Sequence, residues 1–243
     1  MEQTRNAQGQ TLQQFLDAYD PLAYPHPSVT ADTAVFTLLK AERELCLSVL
    51  LVRRANHPDI GRYALPGGFI NMEEELHQAA ARELQEETGV TGLTLRQTAA
   101  FGAPNRDLRT RVITVGFYAI APLDTLKPRG GDDAAEASLF SVDVEKESLC
   151  AAAETYRVLL VGRQLINCRA QLRYDTLGAY AAALPKAQCG LASDHDHVLF
   201  TALVALNAQP RERAARLLTL GHPQLEGRAI RALDSALGAL PRN

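Results

Sequence analysis

Glu83, Glu86 and Glu87 fall at helical spacing within a segment, Met72 to Thr88, that reads as one long helix. Asn71 is suited to cap its start, with Glu74 completing a capping box, and Gly89 is suited to the left-handed position that closes it. At about 100° per residue, Leu76, Ala79 and Ala80 form the buried stripe of the first turns. Glu83 and Glu87 project along that same direction, with Glu86 beside them. An acidic run is ordinarily a solvated helix face, but such a face would point away from Leu76. Carboxylates gathered on a partly buried stripe repel one another and lose hydration, so a cation is expected between them. A hard divalent ion with oxygen ligands meets that need. Mg²⁺ is favoured because it keeps several waters and binds through a few carboxylates plus substrate phosphates, with Mn²⁺ as a substitute.

The stretch GFINMEEELHQAAARELQEETGV, residues 68–90, resembles the signature box of the Nudix hydrolases. The matching positions are Gly68, Glu74, Arg82, Glu83, Leu84, Glu86, Glu87, Gly89 and Val90. The resemblance implies that Glu86 and Glu87 ligate metal, aided by the Gly67 carbonyl. It implies that Glu83 either ligates metal or orients and deprotonates the attacking water. Arg82 completes the catalytic set by holding a carboxylate, Glu74 or one of the ligands, through a charge-assisted pair. Glu73 and Glu75 have no box role and read as exposed helix residues. The implied reaction is phosphoanhydride hydrolysis, in which water attacks a phosphorus crowded by negative oxygens and divalent metal offsets that charge.

Flanking segments, among them AYDPLAYPHPSVTAD, FGAPNRDLRTRVITVGFYA and LASDHDHVL, are similar to a subgroup of that family holding ADP-ribose pyrophosphatases and Nudix-related transcriptional regulators. The subgroup's arginine-rich loop is represented by Arg106, Asp107, Arg109 and Arg111. Guanidinium groups there can fork onto phosphate or ribose oxygens, although a solvated basic loop has the same composition. Arg106 and Arg109, with Arg54 and Phe69, are therefore the candidate substrate-binding residues. Glu136, next to Asp132 and Asp133, is a possible additional acid at the mouth of the site, unless this segment merely turns after Gly130-Gly131. The expected substrate is a nucleoside diphosphate linked to another moiety, ADP-ribose or a related nucleotide sugar, giving NMP plus sugar phosphate. The alternative is an ADP-ribose-sensing transcriptional regulator built on the same domain. Such regulators carry a C-terminal winged helix, and no pair of wing strands is legible in the tail here. Arg211, Arg213, Arg216, Arg228 and Arg231 suit ordinary amphipathic surface helices, so nucleic acid is not an expected partner.

The elements that must position this chemistry follow from hydrophobic patterning. TADTAVFTLLK and LCLSVLLVRRA read as a hairpin around AERE, and TGLTLRQTAAFG, TRVITVGFYAIAP and ASLFSVDV as further strands. With the acidic helix they give an α+β fold, an α/β/α sandwich with a mixed sheet, plus an inserted hairpin and a helical C-terminal tail. The expected division is an N-terminal arm over 1–29 with a short helix in TLQQFLDAYD, a catalytic domain over 30–145, an inserted hairpin and helix (LGAYAAAL) over 146–190, and a helical region over 191–243. Breaks in the last are expected near Gln209-Pro210 and Gly221-His222-Pro223. With 47% hydrophobic and 22% charged residues and a net charge of −3, the chain has material for a core and no general attraction to nucleic acid or anionic membrane. Cys46, Cys150, Cys168 and Cys189 lack metal-ligand or disulfide-framework spacing. No secretory pattern opens the chain and no apolar run is long enough to span a bilayer, so a cytoplasmic protein is expected. The insertion and helical tail are expected to build a homodimer that swaps the N-terminal arm, so that both subunits contribute to each site.

Overall fold

The computed structural model describes residues 4–41, 44–126, 136–150, 153–176, 178–182 and 190–241. The two apolar runs expected to pair become β1 (Ser28–Ala41) and β2 (Glu44–Arg53), antiparallel with Leu38 opposite Leu47. The Gly/Pro-punctuated loop after them contributes β3 (Tyr63–Ala64) on β2 and β4 (Gly67–Phe69) on β1. The helix α2 (Leu76–Thr88) follows, then β5 (Arg96–Phe101), β6 (Val112–Ile120) and β7 (Ala137–Cys150). β6 runs parallel to β1 while the other pairings are antiparallel, so the sheet is mixed.

Residues beyond 145 extend the same sheet. β7 continues unbroken to Cys150 and pairs with β8 (Ala153–Val161), which pairs with β9 (Leu165–Asp175). The boundary expected near 145 therefore falls inside a strand. The helix expected in LGAYAAAL is instead β10 (Gly178–Ala182), antiparallel to β9. Alanine's helix preference is a fraction of a kcal/mol per residue, and the open edge of β9 offers backbone partners that outweigh it. The strand order is β10-β9-β8-β7-β2-β1-β6-β5.

Alternation along the strands separates two cores. On β1, Val35 packs in the cluster holding Leu84 and Val90, from α2 and the turn after it, and Ala31 in the one holding Ala79 and Ala80 of α2. Ala34, Phe36 and Leu38 face the other way, into the larger cluster. That cluster is closed by the C-terminal helices α3 (His195–Asn207), α4 (Arg211–Leu218) and α5 (Glu226–Leu237), broken where the Pro and Gly residues predicted. The result is the expected α/β/α arrangement. The N-terminal helix α1 (Leu12–Ala18) forms behind its Thr11 cap and buries none of its residues. Among the described residues, no helix is long and apolar enough to cross a membrane.

Candidate active site

α2 starts a few residues later than expected, and the contacts of Glu74 account for the difference. Glu74 does accept from the Asn71 backbone N–H at 2.6 Å, but its carboxylate is also gripped by Arg82, whose Nε and Nη2 lie 3.0 and 2.7 Å away. The chain around Glu74 stays a turn, and Glu75 becomes the N-cap, in a capping box with Gln78. Gly89, with φ of 72°, closes the helix in the expected left-handed conformation.

Along the helix, Ala79, Ala80, Leu84 and Thr88 are buried, which turns Glu83 and Glu87 toward the sheet edge. Arg82 Nη1 donates to Glu83 at 2.7 Å and to Glu86 at 3.1 Å, and Nη2 to the Phe69 carbonyl at 3.0 Å. Arg82 thus contacts Glu74 and both neighbouring acids. The fork holds the Glu74 carboxyl at about 2, well below the usual carboxylate range. Glu87 accepts from the Gly67 backbone N–H at 3.0 Å. Burial pushes its carboxyl up to about 7, and the charges of Glu83 and Asp32 push the same way. Both glycines of β4 let the backbone approach these acids closely. A Cβ on Gly68 would come within 2.5 Å of the Glu83 carboxylate, and one on Gly67 within 2.4 Å of Asp32 Oδ1.

These groups line one cleft of about 730 Å³ at the start of β1 and β6, where α2 from one layer meets the N-terminus of α3 from the other. Glu83, Glu86 and Glu87 all face it, Glu86 from the exposed rim. Among the described residues, no three His, Cys, Asp or Glu side chains enclose a cation by themselves. The donor set nevertheless fits a hard divalent ion. All its atoms are oxygens, and Glu87 is buried beside the like charges of Glu83 and Asp32, an arrangement a bound cation would relieve. Mg²⁺ uses few protein carboxylates and retains water, so a closed cage is not required of its site.

The substrate-binding candidates reach the same cleft by different means. Arg109 stands over the Phe69 ring, 5.1 Å from its centroid, and pairs with Asp107 at 2.7 Å. Arg54 lines the cleft with its Nε bound to the Pro58 carbonyl at 2.8 Å. Arg106 lines it too, but its guanidinium is only 4% exposed and forks onto Asp194 through Nε, at 2.9 Å, and Nη2. Glu136 is not among the residues lining this cleft; it borders an adjoining hollow together with Arg54 and Ala55, which also line the cleft, and its carboxylate pairs with Arg163 at the β8–β9 turn. Asp132 and Asp133 fall outside the described residues.

Two cleft residues escape a reading by spacing. Asp32 lies on β1 opposite Gly67, its carboxyl pushed up by burial against the opposing influence of His195, Arg106 and Thr114. His195 opens α3, far along the chain. The available signal was the LASDHDHVL segment, whose residues 193 and 195 both line the cleft.

Comparison with known proteins converges on one family. Over 110 residues the chain is 37% identical to an ADPR responsive transcriptional repressor NtrR of Acinetobacter baylyi, covering 44% of this chain and 42% of the relative. Over 122 residues it is 34% identical to an ADP-ribose pyrophosphatase of Methanocaldococcus jannaschii, covering 49% of this chain and 65% of the relative. The matched stretches thus span less than two thirds of either relative. In fold, a MutT/nudix family protein from Enterococcus faecalis superposes with a TM-score of 0.60 at 23% identity, over 93% of this chain and 88% of that one. The NUDIX domain model itself matches residues 30–160, a stretch that holds β1 to β8, the acidic helix and most of the cleft, and the chain accordingly belongs to the NUDIX domain family.

Proposed function

We propose that the chain is a Mg²⁺-dependent hydrolase, with Mn²⁺ as a substitute, that cleaves a nucleoside diphosphate linked to another moiety into NMP and a sugar phosphate. ADP-ribose or a related nucleotide sugar is the substrate. One observation carries this reading: the carboxylates of Glu83, Glu86 and Glu87 and the guanidinium groups of Arg54 and Arg109 face a single cleft of about 730 Å³. That volume lies within the range of small-molecule sites. The relative named as an ADP-ribose pyrophosphatase supports the choice of substrate.

Glu83, Glu86, Glu87 and the Gly67 carbonyl would hold the ion. When bound, it offsets the diphosphate's charge and stabilises the oxygens entering and leaving phosphorus. Glu83, kept in place by Arg82, is the group suited to take the proton of the attacking water. The exposed Phe69 ring offers a stacking face, and Arg54 and Arg109 offer donors for phosphate or ribose oxygens. Arg106, committed to Asp194, shapes the loop that presents Arg109. A reducing cytoplasm suits Cys46 and Cys168, neither of which forms a disulfide. A homodimer joined through the apolar face of α1, where Leu12, Phe15 and Leu16 are exposed, belongs to the same reading; a monomer in sedimentation at micromolar concentration would exclude it.

Incubation with ADP-ribose and Mg²⁺ should release AMP and ribose 5-phosphate, separable by ion-exchange chromatography. Glu86→Gln and Glu87→Gln should each lose on the order of 100-fold in kcat with an unchanged melting temperature, because each removes ligand charge while keeping size. Absence of turnover across a panel of nucleotide sugars would refute the reading. The likeness to an ADPR responsive repressor favours one alternative, a ligand-sensing regulator. Salt-dependent, sequence-selective binding to its own upstream DNA, weakened by ADP-ribose, would mark that case.

A further inference from the structure

The chemistry above leaves two buried titratable residues of the cleft, Asp32 and His195, without a task. Asp32 is 5% exposed and His195 is 8% exposed, yet both line the cavity. The Leu65 backbone N–H donates to His195 Nδ1 at 3.0 Å. That bond makes Nδ1 the acceptor of the ring, so the proton of the neutral imidazole sits on Nε2. Nε2 lies 4.0 Å from Asp32 Oδ2, beyond direct hydrogen-bond reach. A single oxygen between them can nevertheless stand about 2.8 Å from each. Such an oxygen accepts from the imidazole and donates to the carboxylate. A hydroxyl does both, so one such group meets the two partners at once.

The segment that carries His195 is tied to the cleft wall on several sides. The Ala192 N–H donates to the Tyr63 carbonyl at 2.8 Å, the Ser193 N–H to the Asp59 carboxylate at 2.8 Å, and the Ser193 hydroxyl to the Arg106 carbonyl at 2.7 Å. The imidazole is thereby preorganised, as a recognition group must be if it is to bind without ordering costs.

We propose that His195 and Asp32 together recognise a sugar hydroxyl of the nucleoside diphosphate substrate, which accepts from His195 Nε2–H and donates to Asp32 Oδ2. The inference rests on the hydrolase reading above. It makes the C-terminal segment part of the substrate site. A water molecule shares the hydroxyl's chemistry, and kinetics separate the two, because a substrate hydroxyl acts on KM and an attacking water on kcat.

The test compares His195→Asn with His195→Gln, using ADP-ribose and analogues lacking one ribose hydroxyl at a time. Asparagine keeps an acceptor near the Nδ1 position for the Leu65 N–H and deletes the Nε2 donor; glutamine does the reverse. His195→Asn should raise KM for ADP-ribose about 10-fold, with kcat and melting temperature close to wild type. One deoxy analogue should cost the wild type at least that factor and cost His195→Asn less, because only the bond to Asp32 is then left to lose. His195→Gln should recover part of the KM while melting at a lower temperature. The proposal is overturned if no deoxy analogue raises the wild-type KM, if His195→Asn weakens every analogue by the same factor, or if kcat falls at constant KM. An inactive wild type would instead bring down the hydrolase reading, an outcome distinguishable from an active wild type with an unaffected variant.

Discussion

Arg82 does at residue scale what no other side chain of the site could do. Its planar fork places Nε and Nη2 on Glu74, Nη1 between Glu83 and Glu86, and Nη2 also on the Phe69 carbonyl. It thus ties the turn before α2, the helix itself and β4 into one unit. A lysine ammonium is a point charge on a flexible stem and cannot reach all of these acceptors at once. Arg82→Lys should lower kcat by about 10- to 100-fold, the range found when support of active-site ligands is lost, with KM within a few-fold. Because Arg82 is about a quarter exposed, its ion pairs contribute modestly, on the order of 1 kcal/mol, so the melting temperature should fall only a few degrees. Steady-state kinetics beside a thermal melt would check this, and an unchanged kcat would show that Glu83 and Glu86 need no such support. Arg82 and its acidic partners were legible because they share one helix, where spacing fixes direction. Asp32 and His195 were not, because their meeting depends on β1 and α3 packing on the same end of the sheet, which no local spacing encodes.

Among the elements, patterning reveals some and hides others. The β1–β2 hairpin, β6 and the three C-terminal helices follow from periodicity and from Gly and Pro breaks, since each buries one face against a continuous layer. β10 does not, because its Ala-rich sequence carries no strand alternation of its own and takes its extended conformation from pairing with β9, the strand just before it. That strand is also held by α3, where His197 Nε2 lies 3.2 Å from the Ala181 carbonyl and its ring packs edge-on against Phe101 at 4.9 Å. Burial lowers the His197 pKa below its ordinary 6.5. An unfolded chain then binds a proton at a higher pH than the folded one. The contribution of neutral His197 to stability is therefore fully present above about pH 6.5 and is lost as pH falls toward the folded value. Urea midpoints measured from pH 8 to pH 5 should decline below 6.5 in the wild type and decline less steeply in His197→Phe. Taking the difference cancels groups common to both proteins. Parallel curves would show that the imidazole is not buried in its neutral form.

At the scale of the whole molecule, the C-terminal region is wall and floor to the rest of the chain. Val198, Leu199, Phe200 and Leu203 of α3 are wholly buried in the same cluster as Phe36, Val49 and Phe140 of the sheet. Leu233 and Leu237 of α5 complete that layer, and the Leu218 carbonyl accepts from the Leu123 N–H at 2.7 Å. Each such side chain contributes roughly 1.5–3 kcal/mol when taken from water, so the loss on removing the three helices is comparable to the whole 5–15 kcal/mol that separates a typical folded domain from its unfolded chain. The cleft would lose a wall as well. Asp194 is the partner of the nearly buried Arg106 guanidinium, and a buried charge stripped of its partner costs about 3–5 kcal/mol. Sequence patterning alone presents the tail as an accessory element, since its helices carry no motif of their own and the family resemblance thins beyond the sheet. Deleting residues 191–243 should accordingly yield an insoluble or molten chain, seen as lost near-ultraviolet circular dichroism and no cooperative melt. A truncated protein that melted cooperatively and bound ADP-ribose as the full chain does would instead make the tail a separable appendage, and would also remove the ground for assigning His195 to the substrate site.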